Sequence, residues 1–312
     1  MTTFDATPPI VAIVGPTAAG KTDLSLGLAL ALGGEVVNTD SMQVYRGMDI
    51  GTAKLPVDER RGVTHHLLDL LDVTEPATVA EFQGWAREVI ADCRSRGVTP
   101  ILVGGSALYT RAILDRFEFP GTDPAVRGPL EDELAALGPE VMHERLAAVD
   151  GLAAARIIPM NGRRVVRALE VIAITGRPYS ASLPELSYFY DDAYQIGVDI
   201  ARPVLDERIA LRVQRMWEAG FVEEVRRLAD LGLREGRTAS RAIGYHQVLA
   251  HLDGDITEER AKEQTITATR RFARRQDGWF RKDPRITWVD WDDTARVDKA
   301  VAGVRVAGSP RD

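Results

Sequence analysis

The sequence predicts an α/β fold in which a parallel sheet is flanked by helices and carries an inserted all-helical domain. Three observations predict it. Short apolar, β-prone runs alternate with helical runs in the first third of the chain. A glycine-rich turn ending in Lys21-Thr22 lies between the first strand-like run and the first helix. A later segment has helical periodicity and no strand-like run. Strands alternating with helices are typical of parallel sheets covered on both faces.

The elements of the sheet follow in order from the N-terminus. Residues 10–14 form an apolar run that ends at a glycine, which predicts a buried strand. A helix is predicted over 21–32, with leucines every four residues on one face and two glycines to stop it. Residues 35–38 predict a second strand. A third is predicted over 101–103, after a helix that starts at a capping box in residues 78–81.

The pattern changes in the second third of the chain. Helices are predicted over residues 126–137, 141–149 and 162–175, with Pro-Gly punctuation between them. We therefore predict that residues 119–190 form a helical insertion. Residues 1–118 and 191–312 then form the α/β core with its C-terminal helices.

The core pattern resumes after the insertion. Residues 194–199 return to the strand pattern, and helices dominate residues 206–281. A last short strand is predicted over 286–289. The tail after Asp293 is small and polar, so we expect it to fray.

Composition excludes some classes of protein. The chain has 312 residues and a formal net charge of −7, which argues against a uniformly basic nucleic-acid coat but allows a local basic groove. Its single cysteine, Cys93, excludes an internal disulfide and suits a reducing compartment. No apolar run approaches the ~20 residues that cross a bilayer, and residues 1–9 lack the pattern of a signal peptide. We expect a cytoplasmic protein with no membrane partner.

The strongest motif fits the G-x-x-x-x-G-K-[ST] phosphate-binding loop. It comprises Gly15, Pro16, Thr17, Ala18, Ala19, Gly20, Lys21 and Thr22. Its backbone N–H groups and the following helix N-terminus would surround a polyphosphate, Lys21 would add a full positive charge, and Thr22 would offer a hydroxyl to Mg²⁺. The predicted fold is therefore P-loop NTPase-like, and the loop is predicted to bind a diphosphate or a nucleotide such as ATP.

A phosphate loop identifies a polyphosphate and not a reaction. P-loop NTPases normally add an acidic residue at the end of a buried strand to help hold the metal, but residues 101–103 are followed by Gly104-Gly105. The nearest carboxylate is Asp40, after the second strand, where it could be a general base, a metal ligand or a turn residue. The ends of parallel strands open onto one crevice. The missing acid weakens the case for ATP hydrolysis and leaves diphosphate binding intact.

An ordered set of motifs resembles the tRNA dimethylallyltransferase family, also called tRNA isopentenyltransferases. Besides the phosphate loop they are DSMQVY at 40–45, GMDIGTAK at 47–54, VGGSALY at 103–109, RALEV at 167–171, RAIGY at 241–245 and TRRFARRQ at 269–276. The resemblance covers roughly residues 10–290. The phosphate loop alone is unspecific, whereas the ordered set is highly specific.

The resemblance implies prenyl transfer to tRNA. Dimethylallyl diphosphate would lie with its diphosphate on the phosphate loop and a Mg²⁺, and the adenine immediately 3′ of the anticodon would be flipped into the crevice. Its exocyclic N6 amine would attack the allylic carbon, and diphosphate would leave. Asp40 would accept the amine proton, and Thr17 would help to hold the leaving diphosphate. The family resemblance also favours a monomer.

The resemblance further implies which residues contact tRNA. They are Asp40, Ser41, Met42, Gln43, Ser106, Arg127, Arg163, Arg164, Val165, Val166, Arg167, Arg241, Ala242, Ile243, Gly244, Tyr245 and His246. The two valines have no hydrogen-bonding side chain, so we expect core or backbone roles for them. Ser106 stands where the family commonly has Thr, which keeps the hydroxyl and removes a methyl group.

Basic residues on one predicted helix add to the RNA-binding prediction. Arg270 and Arg274 are four residues apart and therefore share a helical face. A second basic cluster lies at residues 163–167 in the predicted insertion, and the two clusters could clamp an anticodon stem. Either cluster, taken alone, could equally be a solvated basic face.

Two alternatives stay open at this point. A P-loop kinase for a small molecule or a nucleotide would share the phosphate loop, and transfer of phosphate from labelled ATP to a small acceptor, with no prenyl label on tRNA, would identify it. A non-catalytic RNA-binding regulator that uses a nucleotide as a switch would bind tRNA but transfer no prenyl group.

Overall fold

The computed structural model of the chain describes residues 7–117, 119–179 and 186–307. The chain divides into two compact units. The first comprises Met1–Asp115 and Tyr188–Asp312, and the second comprises Arg116–Ser187. The first unit contains the sheet, and the second is helical in its described residues.

The sheet of the first unit has six strands within the described residues, all parallel. They are β1 (Ile10–Val14), β2 (Gly34–Asn38), β3 (His65–His66), β4 (Thr99–Val103), β5 (Ala193–Asp199) and β6 (Ile286–Asp290). Their order across the sheet is β3-β2-β4-β1-β5-β6. β1 is central, with Ile13 paired to Val103 on one side and to Ile196 on the other. The predicted parallel sheet is confirmed, and β3 was not predicted because it is only two residues long.

The described residues also form eleven α-helices. They are α1 (Lys21–Leu32), α2 (Val79–Ser95), α3 (Ala107–Leu114), α4 (Pro124–Val149), α5 (Gly151–Arg156), α6 (Gly162–Thr175), α7 (Arg202–Glu218), α8 (Phe221–Asp230), α9 (Tyr245–Leu252), α10 (Glu258–Phe280) and α11 (Arg296–Ala307). None of these helices has the length and apolar character that crossing a bilayer requires.

Side chains of β1 alternate between two apolar cores on opposite faces of the sheet. Ile10 and Ala12 join a core built with residues of α2, α8 and α9. Val11 and Ile13 join a second core built with residues of α1 and α11. All four side chains are essentially inaccessible to solvent. The sheet is therefore covered by helices on both faces, as the alternation of strands and helices along the chain predicted.

The prediction that the tail after Asp293 frays is wrong over residues 296–307. These residues form α11, and Ala300, Val301 and Val304 are buried in the core shared with α1. With Val297, they repeat at the three- and four-residue spacing of one helical face. Small alanine and valine side chains gave this stripe a weak hydrophobic signal, and packing against α1 stabilises it.

The second unit has its own core around α4 and α6. Its buried residues include Leu130, Met142, Leu146 and Leu169. α4 is broken at Gly138, where φ is 83°, so the helices predicted over 126–137 and 141–149 are its two halves. α6 has the predicted bounds, whereas the six-residue α5 was too short to give a periodic signal.

Candidate active site

One cavity of about 690 Å³ lies in the first unit, at the carboxyl ends of β1, β2 and β4. Its walls come from the phosphate loop, the segment after β2, residues 49–56, Gly104-Gly105, α7 and α10. A cavity of this size accommodates a small-molecule ligand. It lies where open parallel sheets bind ligands, and it joins two predicted sites, the phosphate loop and Asp40.

The phosphate loop has the curled backbone that the motif predicts. Gly15 and Gly20 have φ angles of 136° and 98°, which favour glycine, and a Cβ on Gly15 would lie 3.2 Å from the carbonyl oxygen of Val198. Ala18 also has a positive φ, 64°, a conformation that costs a non-glycine residue about 1–3 kcal/mol. The guanidinium of Arg208 donates to the Ala18 carbonyl at 2.8 Å and so helps to hold the strained tip.

Most residues of the loop face the cavity. Those that line it are Thr17, Ala18, Gly20, Lys21 and Thr22. Gly15, Pro16 and Ala19 are buried. The predicted diphosphate site is thus a continuous surface running from the loop tip into the first turn of α1.

Lys21 is a cation in an unfavourable environment. Its Nζ donates to the carbonyl oxygens of Gly15 at 3.0 Å and Pro16 at 2.8 Å. Burial and, after it, the nearby charge of Arg212 lower the pKa of Lys21 to about 7, and the opposing attraction of Asp40 is smaller. A phosphate group at this position would supply the negative charge that Lys21 lacks.

Three arginines of α7 that the sequence reasoning missed line the same cavity. Arg208, Arg212 and Arg215 are four and three residues apart, so they share a helical face. Burial lowers the pKa of Arg212, and the charge of Asp40 opposes that shift. With Lys21, these arginines concentrate positive charge beside the phosphate loop, which suits a polyanion. Their i, i+4, i+7 spacing was visible in the sequence, but nothing there placed α7 beside the phosphate loop.

Asp40 is fixed by its own turn and by Asn38. The Asp40 Oδ1 accepts the Met42 backbone N–H at 2.9 Å. The Asn38 side chain accepts the Asp40 N–H at 2.8 Å and donates to the carbonyls of Asp40 and Leu67 at 2.9 and 3.0 Å. Among the described residues, none bonds to Oδ2 of Asp40, so this oxygen can serve a ligand. Asn38 is a further residue that the sequence analysis did not predict; its signal was a polar side chain at the end of a buried strand.

A buried carboxylate fastens the cavity wall formed by residues 49–54. Glu224 of α8 is 2% exposed. It accepts the backbone N–H groups of Asp49, Ile50 and Gly51 at 3.1, 2.7 and 3.2 Å and the hydroxyl of Tyr245 at 2.7 Å. Burial and the charge of Glu224 raise the pKa of Tyr245, so the phenol stays a donor. The single side chain satisfies four donors.

Replacing Glu224 by alanine is expected to lower the free energy of unfolding by about 2–5 kcal/mol, because several buried donors lose their acceptor together. Urea denaturation measures this change. Glu223→Ala is the matched control, since the Glu223 side chain is 69% exposed and pairs with Arg226 at the surface. Equal destabilisation by the two variants would contradict the proposed anchoring role of Glu224.

The predicted tRNA contacts after β2 and β4 lie in loops that adjoin the cavity. Asp40 and Gln43 line it directly, and the Gln43 amide donates to the Thr52 carbonyl at 3.1 Å. Ser41, Met42 and Ser106 are partly exposed. The Ser106 hydroxyl caps α3 by accepting the Tyr109 N–H at 3.5 Å, so it already has a structural role.

The segment 241–246 divides into exposed and buried residues. The side chains of Ala242 and Tyr245 are buried, as is Gly244, whereas Arg241 and His246 are exposed and Ile243 is partly exposed. Ala242, Gly244 and Tyr245 pack inside the protein in this conformation, so their contact with tRNA stays a prediction. The accessible side chains of this segment are those of Arg241, Ile243 and His246.

The predicted contacts of the second unit divide in the same way. Val165 and Val166 are buried in its core, which is the structural role expected for them. Arg167 and Arg127 donate to the fully buried Glu170 at 2.8 and 3.4 Å, so both are engaged internally. Arg163 and Arg164 are exposed, and we expect them to supply the free basic charge of α6.

On α10, the two residues of the predicted basic pair, Arg270 and Arg274, have different environments. The guanidinium of Arg270 donates to the Asp206 carbonyl at 3.3 and 3.1 Å and thus ties α10 to α7. Arg270 therefore has an internal role in this conformation, and its contact with tRNA stays a prediction. Arg274 is exposed, as is Arg271 three residues earlier, and this pair takes its place as the candidate RNA-binding face.

One group of three potential metal ligands occurs among the described residues: Glu35, His66 and Cys93. Arg96 already occupies it, donating to both carboxylate oxygens of Glu35 at 2.9 and 2.8 Å. These hydrogen bonds lower the pKa of Glu35 to about 2, and burial raises the pKa of the Cys93 thiol to about 12. A guanidinium in place and a protonated thiol indicate an internal ion-pair cluster rather than a metal centre.

Comparison with known proteins shows which family the chain is similar to. The family model described as IPP transferase matches residues 43–283. A tRNA dimethylallyltransferase of Nocardioides is 67% identical over 296 residues, covering 95% of this chain and 96% of that protein. A second, from Streptomyces coelicolor, is 62% identical over 289 residues, covering 93% and 92%.

Solved structures similar to this chain belong to the same group of proteins. The tRNA isopentenylpyrophosphate transferase of Bacillus halodurans is 40% identical with a TM-score of 0.71, and the match covers 96% of each chain. A eukaryotic dimethylallyltransferase described as acting on tRNA is 28% identical with a TM-score of 0.80, covering 96% of this chain and 78% of that one. Sequence and fold point to the same group of proteins.

Proposed function

The chain belongs to the IPP transferase family, and on that premise we propose that it transfers the dimethylallyl group of dimethylallyl diphosphate to the N6 amine of the adenine immediately 3′ of the anticodon in tRNA. Its curated relatives are tRNA dimethylallyltransferases, and the chain is a tRNA-modifying prenyltransferase. The donor, the acceptor atom and the Mg²⁺ are the finer parts of the proposal, together with action as a cytoplasmic monomer.

The observation that carries the proposal is a single cavity that combines a phosphate loop, a carboxylate and apolar side chains. The phosphate loop and the α7 arginines offer positive charge to a diphosphate. The apolar lining residues include Ile50, Leu211, Met216 and Phe272. A prenyl diphosphate has a highly charged head and an apolar tail, and this cavity offers partners for both.

The chemistry of displacement favours dimethylallyl diphosphate as the donor. Its reacting carbon is allylic, so positive charge that develops as the C–O bond breaks is delocalised over the double bond. The isomer isopentenyl diphosphate has no such stabilisation at its C1. The diphosphate gains negative charge as it leaves, and Lys21 and Arg212, which line the cavity, offer positive charge to this product.

The acceptor amine needs a base. Its lone pair is delocalised into the adenine ring, so it attacks weakly, and attack makes the nitrogen cationic and acidic. The free Oδ2 of Asp40 can accept the proton, which typically contributes ~10²–10⁴-fold to the rate. Thr17, at the tip of the loop, is the proposed partner of the leaving diphosphate. Asn38 keeps Asp40 in place through two hydrogen bonds to the Asp40 backbone, and its third hydrogen bond, to the Leu67 carbonyl, fixes Asn38 itself.

The donor set fits the Mg²⁺ that the family resemblance implies. Mg²⁺ prefers oxygen ligands and is usually held by few protein groups together with substrate phosphates. The Thr22 hydroxyl lines the cavity at the first turn of α1 and would hold the ion together with the donor's own oxygens. Bound there, the ion would neutralise charge on the leaving diphosphate.

Nucleoside analysis of an unmodified tRNA transcript, before and after incubation with the protein and dimethylallyl diphosphate, tests the proposal. The expected product is a dimethylallyl adenosine at the position 3′ of the anticodon. Parallel reactions with isopentenyl diphosphate and with labelled ATP are expected to leave the tRNA unchanged. Label on a small acceptor from ATP, with no prenylated nucleoside, would instead favour a P-loop kinase.

The exposed arginines of α10 predict a salt-dependent interaction with RNA. Replacing Arg271 and Arg274 together by alanine is expected to weaken binding of an anticodon stem-loop. It should also flatten the slope of log affinity against log salt concentration, by about 0.7–0.9 for each lost phosphate contact. Fluorescence anisotropy at several salt concentrations measures both effects.

A variant with the same change in charge serves as the control. Arg226 and Arg227 are both exposed on α8, and their double replacement by alanine is expected to leave the salt slope unchanged. If the two double variants alter the slope equally, the effect belongs to net charge, and the assignment of an RNA-binding face to α10 is rejected.

A further inference from the structure

We propose that Gln276 is a positioning residue that couples tRNA binding to donor binding, because it ties the basic helix α10 to the tip of the phosphate loop. The inference rests on the proposed function and adds a residue that acts through the two loops it joins. Three features carry it: the contacts of the Gln276 side chain, the strain of the loop tip, and the place of Gln276 on α10.

The Gln276 amide bridges two loops of the cavity. Its Oε1 accepts the backbone N–H of Thr17 at 2.9 Å, and its Nε2 donates to the carbonyl of Gly105 at 2.8 Å. The partners fix the orientation of the amide, since an N–H can only donate and a carbonyl can only accept. One side chain of α10 thus joins the loop after β1 to the loop after β4.

The side chain of Gln276 is buried and packs closely against Gly105. Gln276 is 6% exposed, so a lost hydrogen bond would not be replaced freely by water. A Cβ on Gly105 would lie 2.1 Å from Nε2 of Gln276, so glycine at this position is what allows the amide to enter. Glutamate has nearly the same shape, but it could accept from Thr17 while repelling the Gly105 carbonyl.

The loop tip needs external support because it is strained. Ala18 has a φ of 64°, and such a conformation persists where its surroundings over-determine it. Two hydrogen bonds from other elements hold this tip: the one from Thr17 to Gln276 on α10, and the one from Arg208 on α7 to the Ala18 carbonyl. Removing the first leaves Thr17, the proposed partner of the leaving diphosphate, without its anchor.

The helix that carries Gln276 is also the candidate RNA-binding helix. Arg271 and Arg274 are exposed within two turns of it, and Arg275 precedes it directly. RNA that orders α10 would therefore order the acceptor of the Thr17 N–H. Each ligand is then expected to favour the same arrangement of the loop tip, and binding linkage requires that the effect be mutual.

Inorganic diphosphate with Mg²⁺ is the probe, since it occupies the phosphate loop without reacting. The dissociation constant of an anticodon stem-loop is measured with and without it, for the wild type, Gln276→Leu and Gln276→Glu. In the wild type, the probe is expected to tighten RNA binding by about fivefold or more. In both variants, this factor is expected to fall towards one, while RNA affinity without the probe changes by less than about threefold.

Gln264→Leu is the matched control, because Gln264 lies three turns earlier on α10 and does not line the cavity. It is expected to keep the wild-type coupling factor. A coupling factor of one in the wild type, or a factor kept by Gln276→Glu, would overturn the inference. Gln276→Glu keeps the test valid if Gln276→Leu does not fold.

Failure of the proposed function gives a different result. A wild type that binds no stem-loop and prenylates no tRNA would remove the proposed function, and the coupling with it. A wild type that prenylates tRNA normally, with an unchanged coupling factor in both Gln276 variants, would remove the coupling alone. The kinetic signature of positioning is a rise in the KM for dimethylallyl diphosphate at saturating tRNA that exceeds any change in the KM for tRNA.

Discussion

Replacing Asp40 by alanine or asparagine is expected to lower the rate of prenyl transfer by ~10²–10⁴-fold, while tRNA affinity changes far less. The carboxylate is the proposed acceptor of the amine proton, and its Oδ2 is free of other described residues. Asparagine keeps the shape and the turn contact to Met42, but it is too weak a base to accept the proton. The loss should therefore appear in the chemical step.

Single-turnover kinetics with saturating tRNA and donor measure that step apart from binding. Asp58→Asn is a suitable control, because Asp58 is an exposed carboxylate in the short 3₁₀ helix Val57–Arg60 and does not line the cavity. It changes net charge by the same amount and is expected to keep the wild-type rate. Near-normal turnover by Asp40→Asn would remove Asp40 from the mechanism as a base.

The strands of the sheet were the most predictable part of the fold. β1 and α1 have the predicted bounds, because an apolar run, a phosphate loop and a glycine stop each carry a strong local signal. The prediction for the residues of α11 was wrong because their local signal is weak. Its buried face is made of alanine and valine, and it is a helix because α1 offers a surface for it, which no local pattern reveals.

Site residues that follow directly after a strand were predictable from the sequence. Site residues that distant helices bring to the cavity were not. The phosphate loop and Asp40 lie directly after two strands, so the parallel topology alone brings them to one cavity. Arg208 and Gln276 bond to loop residues 190 and 259 positions away in the sequence, and Arg212 lines the cavity from the same helix as Arg208. Their approach depends on packing. The same reason explains Arg270, whose spacing predicted a basic face but whose side chain is bound to Asp206.

Replacing Lys21 by methionine is expected to lower kcat/KM for dimethylallyl diphosphate by about 10²–10³, the usual loss for one donor to a developing anion. Methionine keeps the length of the side chain and removes its charge. The effect should depend on pH, because the pKa of Lys21 in the protein is about 7. Above this pH the ligand-free lysine has lost its proton, and a bound diphosphate must restore it.

The direction of the pH dependence follows from the proton that Lys21 must take up when the diphosphate binds. Donor affinity is expected to fall as pH rises above about 7, with proton uptake that calorimetry in buffers of different ionisation enthalpy detects. Stability of the ligand-free protein should move the other way. The unfolded lysine, with a pKa near 10.5, binds the proton more tightly than the folded one, so this group destabilises the fold below about pH 7 and progressively less up to about 10.5.

Lys21→Met separates these effects from the titration of the ligand itself. The variant should bind the donor more weakly at every pH, take up fewer protons on binding, and lose the rise in ligand-free stability between neutral and alkaline pH. Proton uptake equal to that of the wild type would show that another group titrates. The depressed pKa would then be unrelated to how this cavity recognises a diphosphate.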